Sequence, residues 1–163
     1  DLHIGLKLKN RDLQEEQSYI FQQVTAQAEM EQPDAIVIAG DIYDKAVPSA
    51  EAVLVLDEFL CRLAQCKLPV LMISGNHDSP ERLAFGARLL DASGIYISPV
   101  YHGDIRPVTL TDADGPVRFW LLPFIKPAQV KRFFCRFSII SRHRGSASSA
   151  CTSRSPPTTP KRR

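Results

Sequence analysis

Two short, unbroken apolar runs constrain this chain more than any other feature: AIVIAG at residues 35–40 and LPVLMISG at 68–75. Each is strand-length, rich in β-branched residues, and closed by a glycine with polar residues immediately after it. A strand with one solvated face alternates apolar and polar residues; a continuous apolar run is the mark of a strand buried on both faces, as in a parallel sheet. Parallel neighbours cannot be joined by a hairpin and need a crossover, usually helical.

The segment between the runs supplies one. Ser49 reads as an N-cap, Glu51 and Glu58 lie on the helix that follows, and Val53, Leu56, Phe59, Leu60 and Leu63 mark a core-facing stripe reaching to about Gln65. Upstream, DLQEEQSYIFQQVTAQAEME (12–31) has no Gly or Pro and places Leu13, Tyr19 or Ile20, Val24 and Ala28 at helical spacing, until Pro33 and Asp34 end it. Downstream, Pro80 sits where a first-turn proline belongs and ERLAFGARLL continues as that helix. GIYIS (94–98), PVTL (107–110) and VRFWLLPF (117–124) read as further strands, with DADG (112–115) as a hairpin turn. Alternation of helix and strand predicts an α/β fold around a largely parallel central sheet.

The 163 residues have room for one ordinary domain, and 44% hydrophobic with 23% charged residues is a globular composition. Apolar stretches stay far below the roughly 20 residues that span a bilayer, so no membrane association is expected. No basic region followed by an apolar core marks a secretory signal. Cys61, Cys66, Cys135 and Cys151 form no CxxC pair. A disulfide framework or zinc ribbon is not expected, Cys61 and Cys66 read as small apolar side chains on a helix, and a reducing cytoplasm is the expected location.

The net charge of +2 conceals a division. All 18 acidic residues fall between Asp1 and Asp114; residues 1–130 hold 11 Lys/Arg, a net of −7, and residues 131–163 hold the other nine and no acid. Two regions are expected: 1–134, and a Ser/Arg/Pro-rich basic tail at 135–163. The tail reads as a basic arm for nucleic acid, a disordered tail, or the product of a shifted reading frame.

In open parallel sheets, ligands bind outside the carboxyl ends of the strands. That rule gathers three polar groups at one end: Asp41 and Asp44 after the first strand, Asn76, His77 and Asp78 after the second, and Asp1 and His3 ahead of the first helix, where an earlier strand would end. Carboxylate, imidazole and amide without thiolate suit Mn, Fe, Zn or Mg. Alternation places Asp1 and His3 on one face, and Asp41 has two oxygens with which to bridge two ions about 3.5–4 Å apart. Each residue also has a plain structural reading. Gly-Asp after a strand is often a turn and a helix cap, Asp78 could cap the Pro80 helix, Asp44 could hold a neighbouring side chain, and Asn76-His77 could be a turn carrying an exposed histidine. Their joint occurrence at one end of one sheet favours a site.

DLH (1–3), GDIYD (40–44) and GNHD (75–78), in this order, resemble the calcineurin-like metallophosphoesterases. GDIYDKAVPSAEAV, LPVLMISGNHDSPERLAFGARLL and LLPFIKPAQVKRFF narrow the resemblance to the nuclease subunits of bacterial DNA-repair complexes built with an SMC-like ATPase, over residues 1–134. The resemblance implies an αββα sandwich, here truncated, with a central sheet of mixed strands. It implies two divalent ions, Mn ahead of Mg, with Asp1 and His3 on the first, Asp41 bridging and Asn76 on the second. His77 would face the scissile phosphate as general acid or charge stabiliser, Asp44 would stand behind a ligand or face the phosphate, and Asp78 would be structural, as a cap. The implied activity is 3'-5' double-strand exonuclease and single-strand endonuclease cleavage of DNA in repair and recombination. The implied partners are DNA, the ATPase subunit and a second copy of the nuclease subunit. The pattern also requires a later lone His and a GHxH. The histidines after His77 are His102 and His143, and neither stands in such a motif. Weak metal binding and no activity in isolation are therefore expected. Other calcineurin-like enzymes (phosphoprotein phosphatases, cyclic nucleotide phosphodiesterases) and a non-catalytic basic nucleic-acid binder are the alternatives.

Overall fold

A computed structural model describes residues 1–9 and 11–130. The basic segment at 135–163 lies outside the described residues. By its internal contacts the chain divides at Pro127/Ala128, and the fold below is that of the first unit, Asp1–Pro127.

The apolar runs form β3 (Ile36–Ala39) and β4 (Val70–Ile73), which pair in parallel, and β5 (Ile95–Ile97) pairs in parallel with β4. The order β3-β4-β5 follows the chain. Before the sheet come a short ladder of β1 (Lys7–Leu8) with β2 (Arg11–Asp12) and helix α1 (Gln14–Glu31). Helix α2 (Ala50–Gln65) is the crossover, and Ser49 caps it as expected by accepting the Ala52 amide at 3.3 Å.

Register explains the core. Ile36, Val70 and Ile95 lie side by side, as do Ile38, Met72 and Ile97. These two rows face one way and pack with Phe21 of α1 and with Val55, Leu56, Phe59, Leu60 and Leu63 of α2. Phe21 and Phe59 stack at 4.5 Å between centroids. Fully burying one such aliphatic side chain contributes roughly 1.5–3 kcal/mol.

Several boundaries differ from the sequence reading. On α1 the buried residues are Phe21, Thr25 and Ala28, while Tyr19, Ile20 and Val24 are exposed. The face was set by where Phe59 lies rather than by the widest apolar stripe. On α2, Val55 is buried and Val53 exposed. The helix expected after Pro80 breaks at Gly86, whose φ of 75° interrupts helical backbone, giving α3 (Pro80–Leu83) and α4 (Ala87–Leu90), followed by a 3-10 turn. VRFWLLPF is strand only to Phe119: β6 (Val108–Thr111) and β7 (Pro116–Phe119) form a hairpin, turned by Asp112 accepting the amides of Asp114 and Gly115. Cys61 is exposed rather than part of the core, and the Cys66 thiol donates to the Arg62 carbonyl at the end of α2. The continuous apolar runs implied burial on both faces, yet Val37 and Ala39 of β3 are exposed on the face opposite the helices.

Candidate metal centre

Three backbone segments meet at the carboxyl ends of β3 and β4. Residues 2–4 run parallel beside 41–44: the Leu2 and His3 amides both donate to the Asp41 carbonyl, at 2.8 and 2.9 Å, Ile4 donates to Ile42, and Asp44 donates back to Ile4. This places Asp1 and His3 against the tip of β3. The third segment is the turn after β4, carrying Asn76, His77 and Asp78.

Backbone strain is concentrated here. Asp41 has φ 33° and His3 has φ 47°, a left-handed region that costs non-glycine residues of order 1–3 kcal/mol and persists only when the surroundings enforce it. Gly40 (φ 76°) precedes Asp41, and a Cβ on it would come within 2.9 Å of the Asp1 carboxylate. A Cβ on Gly75 would overlap the amide nitrogen and Oδ1 of Asp41. Glycine is required at 75 because the two strand tips touch there.

The structure brings Asp1, His3 and Asp41 together as one group of donor atoms, all within 4.8 Å of one another, and His3, Asp44 and His77 as a second. His3 belongs to both: its Nε2 lies 3.7 Å from Asp41 Oδ2 and its Nδ1 lies 3.4 Å from Asp44 Oδ1. The His3 and His77 rings meet edge to face at 5.0 Å. Asp41 is buried, with Oδ1 accepting the His77 amide at 2.9 Å, which leaves Oδ2 facing His3. Asn76 is exposed on the same turn, next to His77. Neither group contains His102, which lines a separate groove of about 810 Å³ with Arg88, Tyr96 and Arg106.

His77 is exposed, and its Nδ1 lies 2.8 Å from the Asp44 carbonyl oxygen. A carbonyl can only accept, so Nδ1 carries the proton and Nε2 is left for a ligand. This contact raises the His77 pKa above its usual value, opposed by burial and helped by the charges of Asp41, Asp44 and Asp78.

Asp78 differs from its sequence reading. The cap of α3 is Ser79, whose hydroxyl accepts the Arg82 amide. Asp78 is buried and accepts three other amides: Ile42 at 2.9 Å and Gly75 at 2.8 Å on Oδ2, and Tyr43 at 2.8 Å on Oδ1. A helix-cap reading looks only downstream of Asp78, whereas its partners include a loop 35 and 36 residues upstream. The only hint in the sequence is that two Gly-polar tips end neighbouring parallel strands.

Donor chemistry and geometry fit a divalent cation. Carboxylate oxygens and an imidazole nitrogen converge on one point, a donor set that suits a hard or borderline divalent ion. No helix among the described residues is long and apolar enough to cross a membrane.

The family model for calcineurin-like phosphoesterases matches residues 1–153. The chain is 40% identical over 135 residues to the SbcD subunit of nuclease SbcCD from Staphylococcus epidermidis, and 37% identical over 135 residues to its counterpart from Staphylococcus saprophyticus. Each match covers 82% of this chain and 35% of the relative, so the chain spans about a third of the length of these curated relatives.

Proposed function

Since the chain belongs to the calcineurin-like phosphoesterase family, we propose that its strand tips form the metal-binding part of a DNA nuclease that hydrolyses phosphodiesters. The observation that carries the reading is the convergence of Asp1, His3 and Asp41 on one point beside His77. In this reading Asp1 and His3 hold one divalent ion, Asp41 extends to a second, and Asn76 serves the second. The ions are Mn, with Mg as the substitute. Bound there, such ions supply positive charge for the phosphodiester oxygens and make a water nucleophilic at neutral pH.

The chain's own groups do the rest. Asp44 lies against His3 Nδ1 and turns His3 Nε2 toward Asp41; a carboxylate behind a ligating histidine fixes its ring and tautomer. The Asp44 carbonyl holds His77 so that Nε2 faces outward. Held there, His77 can give a proton to the leaving oxygen or stabilise the charge that develops there.

The relatives are named as SbcD subunits of nuclease SbcCD. By that likeness, the partners are DNA, an SbcC-type SMC-like ATPase and a second copy of the nuclease subunit, and the setting is cytoplasmic DNA repair and recombination. The directions of cleavage, 3'-5' on double strands and endonucleolytic on single strands, belong to the same proposal. Among the described residues the donors make one three-residue group that includes Asp41, so binding is expected to be weak and the chain inactive alone. The test is digestion of linear duplex DNA in Mn2+, by the chain alone and with an SbcC-type ATPase. We expect no digestion by the chain alone, and any digestion gained with the ATPase to be lost in Asp41→Asn and His77→Ala. Digestion unaffected by both substitutions, or preferential release of phosphate from a phosphoserine peptide, would contradict the reading.

A further inference from the structure

Two loops carry the site, one after β3 with Asp41 at φ 33° and one after β4, and neither lies within a strand or helix. The amides just after Asp41 do not continue the β3–β4 ladder, which ends at Ala39 and Ile73. Their partner is Asp78, which accepts the Ile42 and Tyr43 amides from one loop and the Gly75 amide from the other. Bonds from amides to an ionised carboxylate are roughly twice as strong as neutral ones. Two further ties join the loops, the His77 amide on Asp41 Oδ1 and the His77 ring Nδ1 on the Asp44 carbonyl, and His77 is the residue immediately before Asp78.

We infer that Asp78 is a positioning residue: it locks the two strand-tip loops into one unit, and so sets metal affinity at Asp41 and the placement of His77 together while touching neither metal nor substrate. The inference rests on the metal-site reading above. A closed circuit runs Asp78 to Ile42 and Tyr43, back to Asp41, across to His77, and on to Asp78. The Asp41 backbone, at φ 33°, is held at both ends of this circuit. Gly75 lets the loops come close enough for the circuit to close, since any Cβ there would occupy the space of Asp41.

Asparagine at 78 breaks the circuit at a defined place. Its amide has one oxygen and one NH2, so whichever way it turns, at least one of the three backbone amides meets a donor. Groups that orient metal ligands from behind typically change metal affinity 10–100-fold when substituted, and Asp78→Asn is expected to weaken Mn2+ binding by about that factor. Ser79→Ala, which removes the α3 cap and leaves the circuit intact, is expected to shift it less than about 2-fold.

The experiment is a Mn2+ titration of the full chain followed by electron paramagnetic resonance, for wild type, Asp78→Asn and Ser79→Ala. Alongside it, amide hydrogen exchange and the His77 ring proton shift are recorded by NMR without metal. We expect the Ile42, Tyr43 and Gly75 amides to be protected in wild type and exposed in Asp78→Asn. The His77 signal should be displaced in Asp78→Asn and unmoved in Ser79→Ala, while α2 amides stay protected in all three. Wild-type exchange at Ile42, Tyr43 and Gly75 as fast as at exposed loop amides would overturn the inference, even where Asp78→Asn does not fold. So would Mn2+ binding equal to wild type in a folded Asp78→Asn. Absence of Mn2+ binding by wild type would instead overturn the metal-site reading, and the exchange data would still decide the role of Asp78.

Discussion

The backbone N–H of His77 donates to Asp41 Oδ1 at 2.9 Å, joining the residue proposed to face the phosphate to the carboxylate proposed to hold the metals. The bond spans 36 residues of sequence and exists because β3 and β4 end side by side. It commits one oxygen of Asp41 partly to the protein and leaves the other toward His3. The positions of both functional groups are therefore set by the sheet before any ligand arrives.

Gly75→Ala tests how tight that junction is. A Cβ at 75 would overlap Asp41, so the loops must separate. Overpacking of this kind costs roughly 1–3 kcal/mol, to be read from urea unfolding. The same substitution should reduce Mn2+ affinity, because Asp41 is the group displaced. Unchanged stability would mean that the tips are not in contact.

Phe59 anchors the helical layer under the sheet. It is 3% exposed and stacks on Phe21, so Phe59→Ala is expected to cost about 3–5 kcal/mol in chemical denaturation. Val53, on the same helix but exposed, is expected to tolerate alanine within about 0.5 kcal/mol. Equal effects would show that α2 presents a different face to the core.

Tyr43 gives the fold an alkaline limit. Burial, with the nearby charges of Asp78 and Asp57, raises its pKa from 10.0 to about 12. A group whose pKa is raised on folding contributes stability that is fully present below its unfolded pKa and lost as pH rises through the folded one. Metal-free protein should therefore lose up to about 2 kcal/mol between pH 10 and about 12 on account of Tyr43. Tyr43→Phe should flatten that part of the stability-versus-pH curve. A curve of the same slope with Phe at 43 would assign the loss to other groups.

The sheet and the crossover were legible because continuous apolar runs ending in Gly have few alternatives, and Ser49 announces its helix by side-chain chemistry. The buried faces of α1 and α2 were less legible. Tyr19, Ile20 and Val24 fit helical periodicity with Ala28 as well as Phe21 and Thr25 do, and only the partner helix chooses between them. The break at Gly86 was missed because one glycine inside an apolar periodic stretch is tolerated in many helices. At the site, the residue types and their common end of the sheet could be read directly. The role of Asp78 could not, because its acceptor bonds reach a distant loop while its sequence neighbours, Ser79 and Pro80, suggest a cap.

The most direct test of the account is the Mn2+ stoichiometry and affinity of the full chain beside Asp41→Asn and His3→Ala. We expect weak binding of no more than about one ion per chain, since among the described residues one three-donor group includes Asp41 and open sites lacking ligands bind poorly. Both substitutions should abolish it. Two tightly bound ions in wild type would contradict the incomplete-site account, and binding that survives Asp41→Asn would show that the metal sits elsewhere.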